Sequence, residues 1–195
     1  MKFRKVAVWL VLLSLCGGTI IFANDAAQKV RVLINGGELD ESGLMLDGKT
    51  YLPLREVANA LNAIVKWDNA NKRATVYKPN VHMFLYNKGN SPFGVVEKGF
   101  QGKIKVFSQI DNLQTDIAAV KFSIVDPYGK EKTIQSKNVA SEMKDKDIFW
   151  FVSEEFDYKF ESTGIYTVKF YLKVESSEEW AVVSEKQIPS RVPKD

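Results

Sequence analysis

The stretch Gly164-Ile165-Tyr166-Thr167-Val168-Lys169-Phe170-Tyr171-Leu172-Lys173-Val174 decides the fold. Tyr166, Val168, Phe170, Leu172 and Val174 alternate with Thr167, Lys169, Tyr171 and Lys173. A period of two marks an extended strand with one buried face. The same period recurs upstream. Ala118, Val120, Phe122 and Ile124 alternate with Ala119, Lys121 and Ser123 and end at the turn residues Asp126-Pro127-Tyr128-Gly129. Ile104 and Val106 alternate with Lys103 and Lys105. Residues 132–134 and 148–152 add extended pieces, and Trp180-Ala181-Val182-Val183 follows the polar break at 175–179. Six or seven strands at this spacing, with no helix between them, predict an all-β sandwich over residues 93–192.

Residues 29–90 follow a different pattern. Val30, Val32 and Ile34 alternate with Arg31 and Leu33, and Asn35-Gly36-Gly37 turns the chain. Leu44-Met45-Leu46 is a second short strand, closed by Asp47-Gly48. Pro53 suits a first helical turn, where a missing N–H costs nothing. Leu54, Val57, Ala58 and Leu61 then form one apolar stripe, with Asn62 as a left-handed stop. Ile64-Val65-Lys66-Trp67 and Ala74-Thr75-Val76-Tyr77 flank the polar loop 68–73 as a hairpin, and residues 81–86 add a strand. Strand, strand, helix and hairpin predict a small α+β domain with one helix on a β-sheet.

The run Tyr51-Leu52-Pro53-Leu54-Arg55-Glu56-Val57-Ala58-Asn59-Ala60-Leu61-Asn62-Ala63-Ile64-Val65-Lys66-Trp67-Asp68 resembles the signature of the copper amine oxidase N-terminal-like, or stalk, domain. That family shows a strand ending in Asn-Gly, a Val-Pro-Leu-Arg helix start, Leu-Gly-Ala, and Trp-Asp before a hairpin. Residues 30–36 match its first strand and 72–77 its returning strand. Asn62 stands where the family has Gly, and the family's later Asn-Gly-Lys strand pair is not evident after Tyr86. The resemblance implies an envelope-exposed structural or binding role. It does not import copper chemistry: in the oxidases the metal and the quinone belong to a separate catalytic domain. In the second module, Ser162-Thr163-Gly164-Ile165-Tyr166-Thr167-Val168 resembles the Gly-x-Tyr-x-Val start of a late strand in immunoglobulin-like sandwiches. The expected fold is therefore the α+β domain followed by an immunoglobulin-like β-sandwich.

The first residues set the compartment. Lys2, Arg4 and Lys5 precede an apolar run at 6–15, prolonged at 19–22, and Ala23 meets the polar pair Asn24-Asp25. Basic start, short apolar core and small residue are the layout of a secretory signal peptide over residues 1–23. Retention as a membrane anchor is the alternative, since residues 6–22 reach the short edge of the ~17–25 residues that span a bilayer. Cys16 follows Leu15 rather than a small residue and sits inside the apolar run, which argues against lipidation. The leader holds three of the 27 basic side chains and no acidic one, leaving 24 against 24 in the remainder. A neutral chain has no cation surplus to displace phosphate counterions, so nucleic acid is not an expected partner. The remainder also has no cysteine, which excludes a disulfide framework and thiol catalysis.

Catalytic groups are sparse. His82 is the single histidine, and neither a Gly-x-Ser-x-Gly elbow nor a phosphate-cradling glycine loop occurs. Glu154-Glu155, Asp157 and Glu178-Glu179 are the carboxylates a glycosidase would have to recruit, yet adjacent strand residues point to opposite faces. Asp145 and Asp147 lack the glycine and terminal glutamate of a calcium loop. No cofactor and no metal is expected. The candidate ligand-binding aromatics are Phe149, Trp150 and Phe151. Alternation sends Phe149 and Phe151 one way and Ile148, Trp150 and Val152 the other. One set faces the core; the other is either covered or exposed as a platform for glycan or protein. These features point to a non-enzymatic secreted or envelope protein, a binding or scaffold module for cell-wall polymer or a surface protein. Membrane contact is expected only through an uncleaved leader. The alternatives are a secreted cell-wall hydrolase and a regulator or inhibitor of an exported enzyme.

Overall fold

The computed structural model describes residues 27–193 except 176 and 178. The expected signal peptide at 1–23, with Cys16, lies outside the described residues. The chain divides between Val57 and Ala58 into two compact units.

In the first unit, β1 (Gln28–Val30) pairs with β4 (Gly43–Leu46), and β4 with β5 (Lys49–Tyr51), all antiparallel. A separate ribbon joins β2 (Leu33–Ile34) to β3 (Gly37–Glu38). The turn residues act as their chemistry predicts. Asn35 and Gly36 have φ of 52° and 83°, and Asp47 and Gly48 have 50° and 69°. Two successive positive φ values match the twist of a two-residue hairpin, which is why Asn-Gly and Asp-Gly occupy these turns. The Arg31 guanidinium grips the Glu38 carboxylate through both oxygens at 2.7 and 2.6 Å, holding that carboxyl below its usual pKa.

Helix α1 (Leu54–Ala60) starts after Pro53, whose carbonyl accepts the Val57 N–H, and Asn62 stops it at a φ of 55°. Its apolar stripe is less covered than the spacing predicts. Ala58 is buried, whereas Leu54 and Leu61 are 46% and 45% exposed. The helix has only seven residues. The chain then folds back through an Ala63 N–H to Ala58 carbonyl bond, burying Ala63 and Ile64 beside that one position.

In the second unit, β6 (Ile64–Asp68) and β7 (Arg73–Tyr77) form the expected hairpin, its loop held by Asp68 Oδ1 accepting the N–H groups of Ala70 and Asn71. Two larger sheets follow. In one, β10 (Gln101–Asp111) is flanked on one side by β8 (Asn80–Asn87). On its other side lie β13 (Phe149–Val152) and β14 (Phe156–Lys159), two halves of one broken edge. At the break, the Ser153 hydroxyl accepts the Val106 N–H at 2.9 Å and donates to the Glu154 carbonyl. The other sheet has the order β12 (Glu131–Asn138), β11 (Ile117–Val125), β15 (Gly164–Val174), β16 (Trp180–Arg191) and β9 (Val96–Glu97). Only its β16–β9 pair is parallel. A four-residue helix, α2 (Ala140–Met143), follows β12.

The residues at 81–86 read with the first module belong to β8, hydrogen-bonded along β10 from Asn87↔Ile104 to Asn80↔Asp111. Its Met83 and Leu85 enter the same core as Val106 and Ile110. Strand alternation told that a strand was there; it carried no information about its partner.

The inner faces of the two sheets share one core. Phe122 and Phe170 are register partners within one sheet, with ring centroids 4.7 Å apart. Phe151 comes from the other sheet and stacks 5.4 Å from Phe122. Such contacts add about 0.5–1.5 kcal/mol each beyond the area they bury. Phe160 and Tyr166 close one end of the core edge-to-face at 4.8 Å.

Candidate binding surface

Trp150 marks the candidate surface. Phe149 and Phe151 are 4% and 8% exposed, whereas Trp150 is 60% exposed. As ligand-binding aromatics, Phe149 and Phe151 are therefore corrected: both are core side chains, and of the three only Trp150 is available to a partner. Val152, on the same side, is 46% exposed, so β13 has one core face and one open face.

The neighbouring strands extend that open face. Register places Trp150 opposite Gln109 and Gln109 opposite His82; the next row outward is Val152, Phe107 and Phe84. Phe84 is 48% exposed. Strands lie about 4.8 Å apart, so Phe84 and Val152 stand roughly 10 Å apart across Phe107. The sheet underneath is anchored by Val106 and Ile110, both fully buried, so its outer side chains stand on a fixed backbone. The edge of the strip is polar: Gln109 donates to Asp111, and Lys105 donates to the Asn90 side chain at 2.9 Å. Sequence reasoning did not find Phe84, because its only signal, alternation in residues 81–86, becomes a surface only when β8 pairs with β10.

The other candidates do not converge. His82 is exposed on the same outer face. Glu155 pairs with Lys103 at 3.9 Å, while the Glu154 N–H donates to Gln135 Oε1. The Asp147 carbonyl accepts the Leu113 N–H, and the Asp145 N–H donates to Asp116. Among the described residues, no three His, Cys, Asp or Glu side chains gather as a metal cluster. A copper site built on several imidazoles does not fit a chain with one histidine.

On the opposite sheet, the Lys121 ammonium lies 4.0 Å from the Tyr171 ring centroid and 5.1 Å from that of Trp180. The Tyr171 hydroxyl donates to Glu131 at 2.6 Å. Burial and that donated bond push the phenol up to about 12. These aromatics are already occupied within the protein, unlike Trp150.

Residues 33–115 match the family model of the copper amine oxidase N-terminal domain. The match begins at β2 and runs past the end of β10, beyond the boundary near residue 90 expected from the motif alone. A search of curated proteins finds no match to this chain.

Proposed function

We propose that this chain is an exported, non-enzymatic binding or scaffold protein of the cell envelope, joining a stalk-like module to an immunoglobulin-like sandwich. The observation that carries the reading is the strip formed by Trp150, Val152 and Phe84, exposed together on one face of a well-anchored sheet. Large apolar side chains grouped on a rigid surface mark a contact site more often than a solvated face. The signal-like leader supplies the route to the envelope. The partner is a wall polymer or a surface protein, contacted without turnover. The match of residues 33–115 supports the stalk-like part.

Two observations support the immunoglobulin-like assignment. The strand order β8-β10-β13/β14 against β12-β11-β15-β16, with β9 running parallel to β16, is compatible with that topology. The Tyr166 hydroxyl, near the start of β15, accepts the Ser162 N–H at 3.0 Å, the bond of a tyrosine corner.

Co-sedimentation of the leaderless protein with purified wall, and capture of surface proteins on the immobilised chain, test the role. Trp150→Ala combined with Phe84→Ser should abolish retention in whichever assay is positive, with unchanged circular dichroism. Retention unaffected by the double substitution, or release of soluble wall fragments by the native protein, would overturn the reading.

A further inference from the structure

A second feature lies away from that strip, where β11 turns into β12. A groove of about 450 Å³ there is lined by Tyr128, Lys130, Lys132, Asp157, Tyr158 and neighbouring groups. That volume falls within the ~300–1,000 Å³ of small-ligand sites.

The groove is held open by its frame. Asp126 Oδ1 accepts the N–H groups of Tyr128 and Lys130, both at 2.9 Å, which fixes the turn. Gly164 has a φ of 126° and packs so tightly on Pro127 that a Cβ there would lie 2.8 Å from the proline Cβ. The Tyr166–Ser162 bond anchors the far wall. The frame thus ties the turn to the start of β15.

The lining offers both aromatic and polar groups. Tyr128 is 81% exposed. Tyr158 is half-buried, edge-on to Phe160 at 4.9 Å and Tyr166 at 6.0 Å, with the Lys132 ammonium 5.9 Å from its ring. Burial, with help from Tyr166 and the carboxylates of Asp126 and Glu161, pushes the Tyr158 phenol up to about 12, so it stays a hydrogen-bond donor at ordinary pH. Among the described residues, no hydrogen bond or ion pair engages the Tyr158 hydroxyl, the Lys130 ammonium or the Asp157 carboxylate. Lys130, Lys132 and Lys159 are balanced by Asp126, Asp157 and Glu161, so the groove has no net charge to attract a polyanion.

Open donors and acceptors beside one exposed aromatic ring suit a ligand with hydroxyls around its rim and C–H faces above and below. We infer that this groove is a glycan subsite for an uncharged sugar chain, with Tyr128 covering one ring face and Tyr158 and Lys130 meeting the hydroxyls. The subsite is independent of the Trp150 strip, and the two are tested apart.

Titration of the full chain with chitotetraose and cellotetraose, followed by chemical-shift changes, tests it; a tetragalacturonate serves as the anionic control. At least one neutral probe should bind saturably, Tyr128→Ala should weaken that binding about tenfold or more, and Trp150→Ala should leave it unchanged. The Tyr128→Ala urea midpoint should match the native one, since nothing packs over that ring. No saturation by either neutral probe at ~10 mM, binding of the anionic probe alone, or native affinity in Tyr128→Ala would each overturn the inference.

Discussion

Phe151 and Trp150 are adjacent in the chain and opposite in consequence. Phe151 meets Phe122 across the core, so Phe151→Ala or Phe122→Ala should cost about 3–5 kcal/mol, read as a lower urea midpoint. Trp150→Ala should change stability by no more than about 0.5 kcal/mol while removing partner binding. A combined scan of stability and retention separates the two classes. Alternation made it legible that these side chains part company. It left open which set the second sheet would cover, because that depends on where Phe122 and Phe170 lie in space. A different residue-scale test uses pH. Tyr158 and Tyr171 hold their protons up to about 12, against an ordinary value of 10. A folded-state pKa raised in this way means that the associated stability is intact below pH ~10 and is lost as pH rises toward ~12. Absorbance titration should show two phenols that ionise only near pH 12, and Tyr171→Phe should reduce the alkaline loss of stability.

At the scale of elements, turns were more legible than pairings. Asn35-Gly36, Asp47-Gly48 and Asn62 adopt the positive φ values their side chains tolerate best, a property local enough for sequence to state. The passage into β15 is the sharpest case. Gly164 combines positive φ with close approach to Pro127, so Gly164→Ala should destabilise by at least ~1 kcal/mol in chemical denaturation. Tyr166→Phe removes the hydroxyl that accepts the Ser162 N–H and should cost about 1 kcal/mol with little change in packing. Short elements were missed where pattern is too brief to register: β9 has two residues, and β14 is four residues of a broken edge. The α1 stripe was correctly spaced, yet only Ala58 became buried, because periodicity describes a face and not what covers it.

For the whole molecule, the second unit contains nearly all of the large buried side chains among the described residues, from Ile64 through Ile188. A chain beginning at Ala58 should therefore melt in one cooperative transition. One beginning at residue 93 lacks Met83 and Leu85 and should lose several kcal/mol, on the order of 2–5 for each large core side chain removed. Scanning calorimetry on both chains checks this. The sequence by itself determined the alternation of the long strands, the turn chemistry, the even charge balance beyond residue 23 and the motif shared with the stalk family, since each is set by residues close together in the chain. Tertiary structure alone decided that β8 lies against β10, that Trp150 and Phe84 share an open face, and that Tyr128 and Tyr158 border one groove. Those arrangements rest on pairing between residues 17 to 58 positions apart, and the period-two pattern of a strand is the same whichever partner it finds.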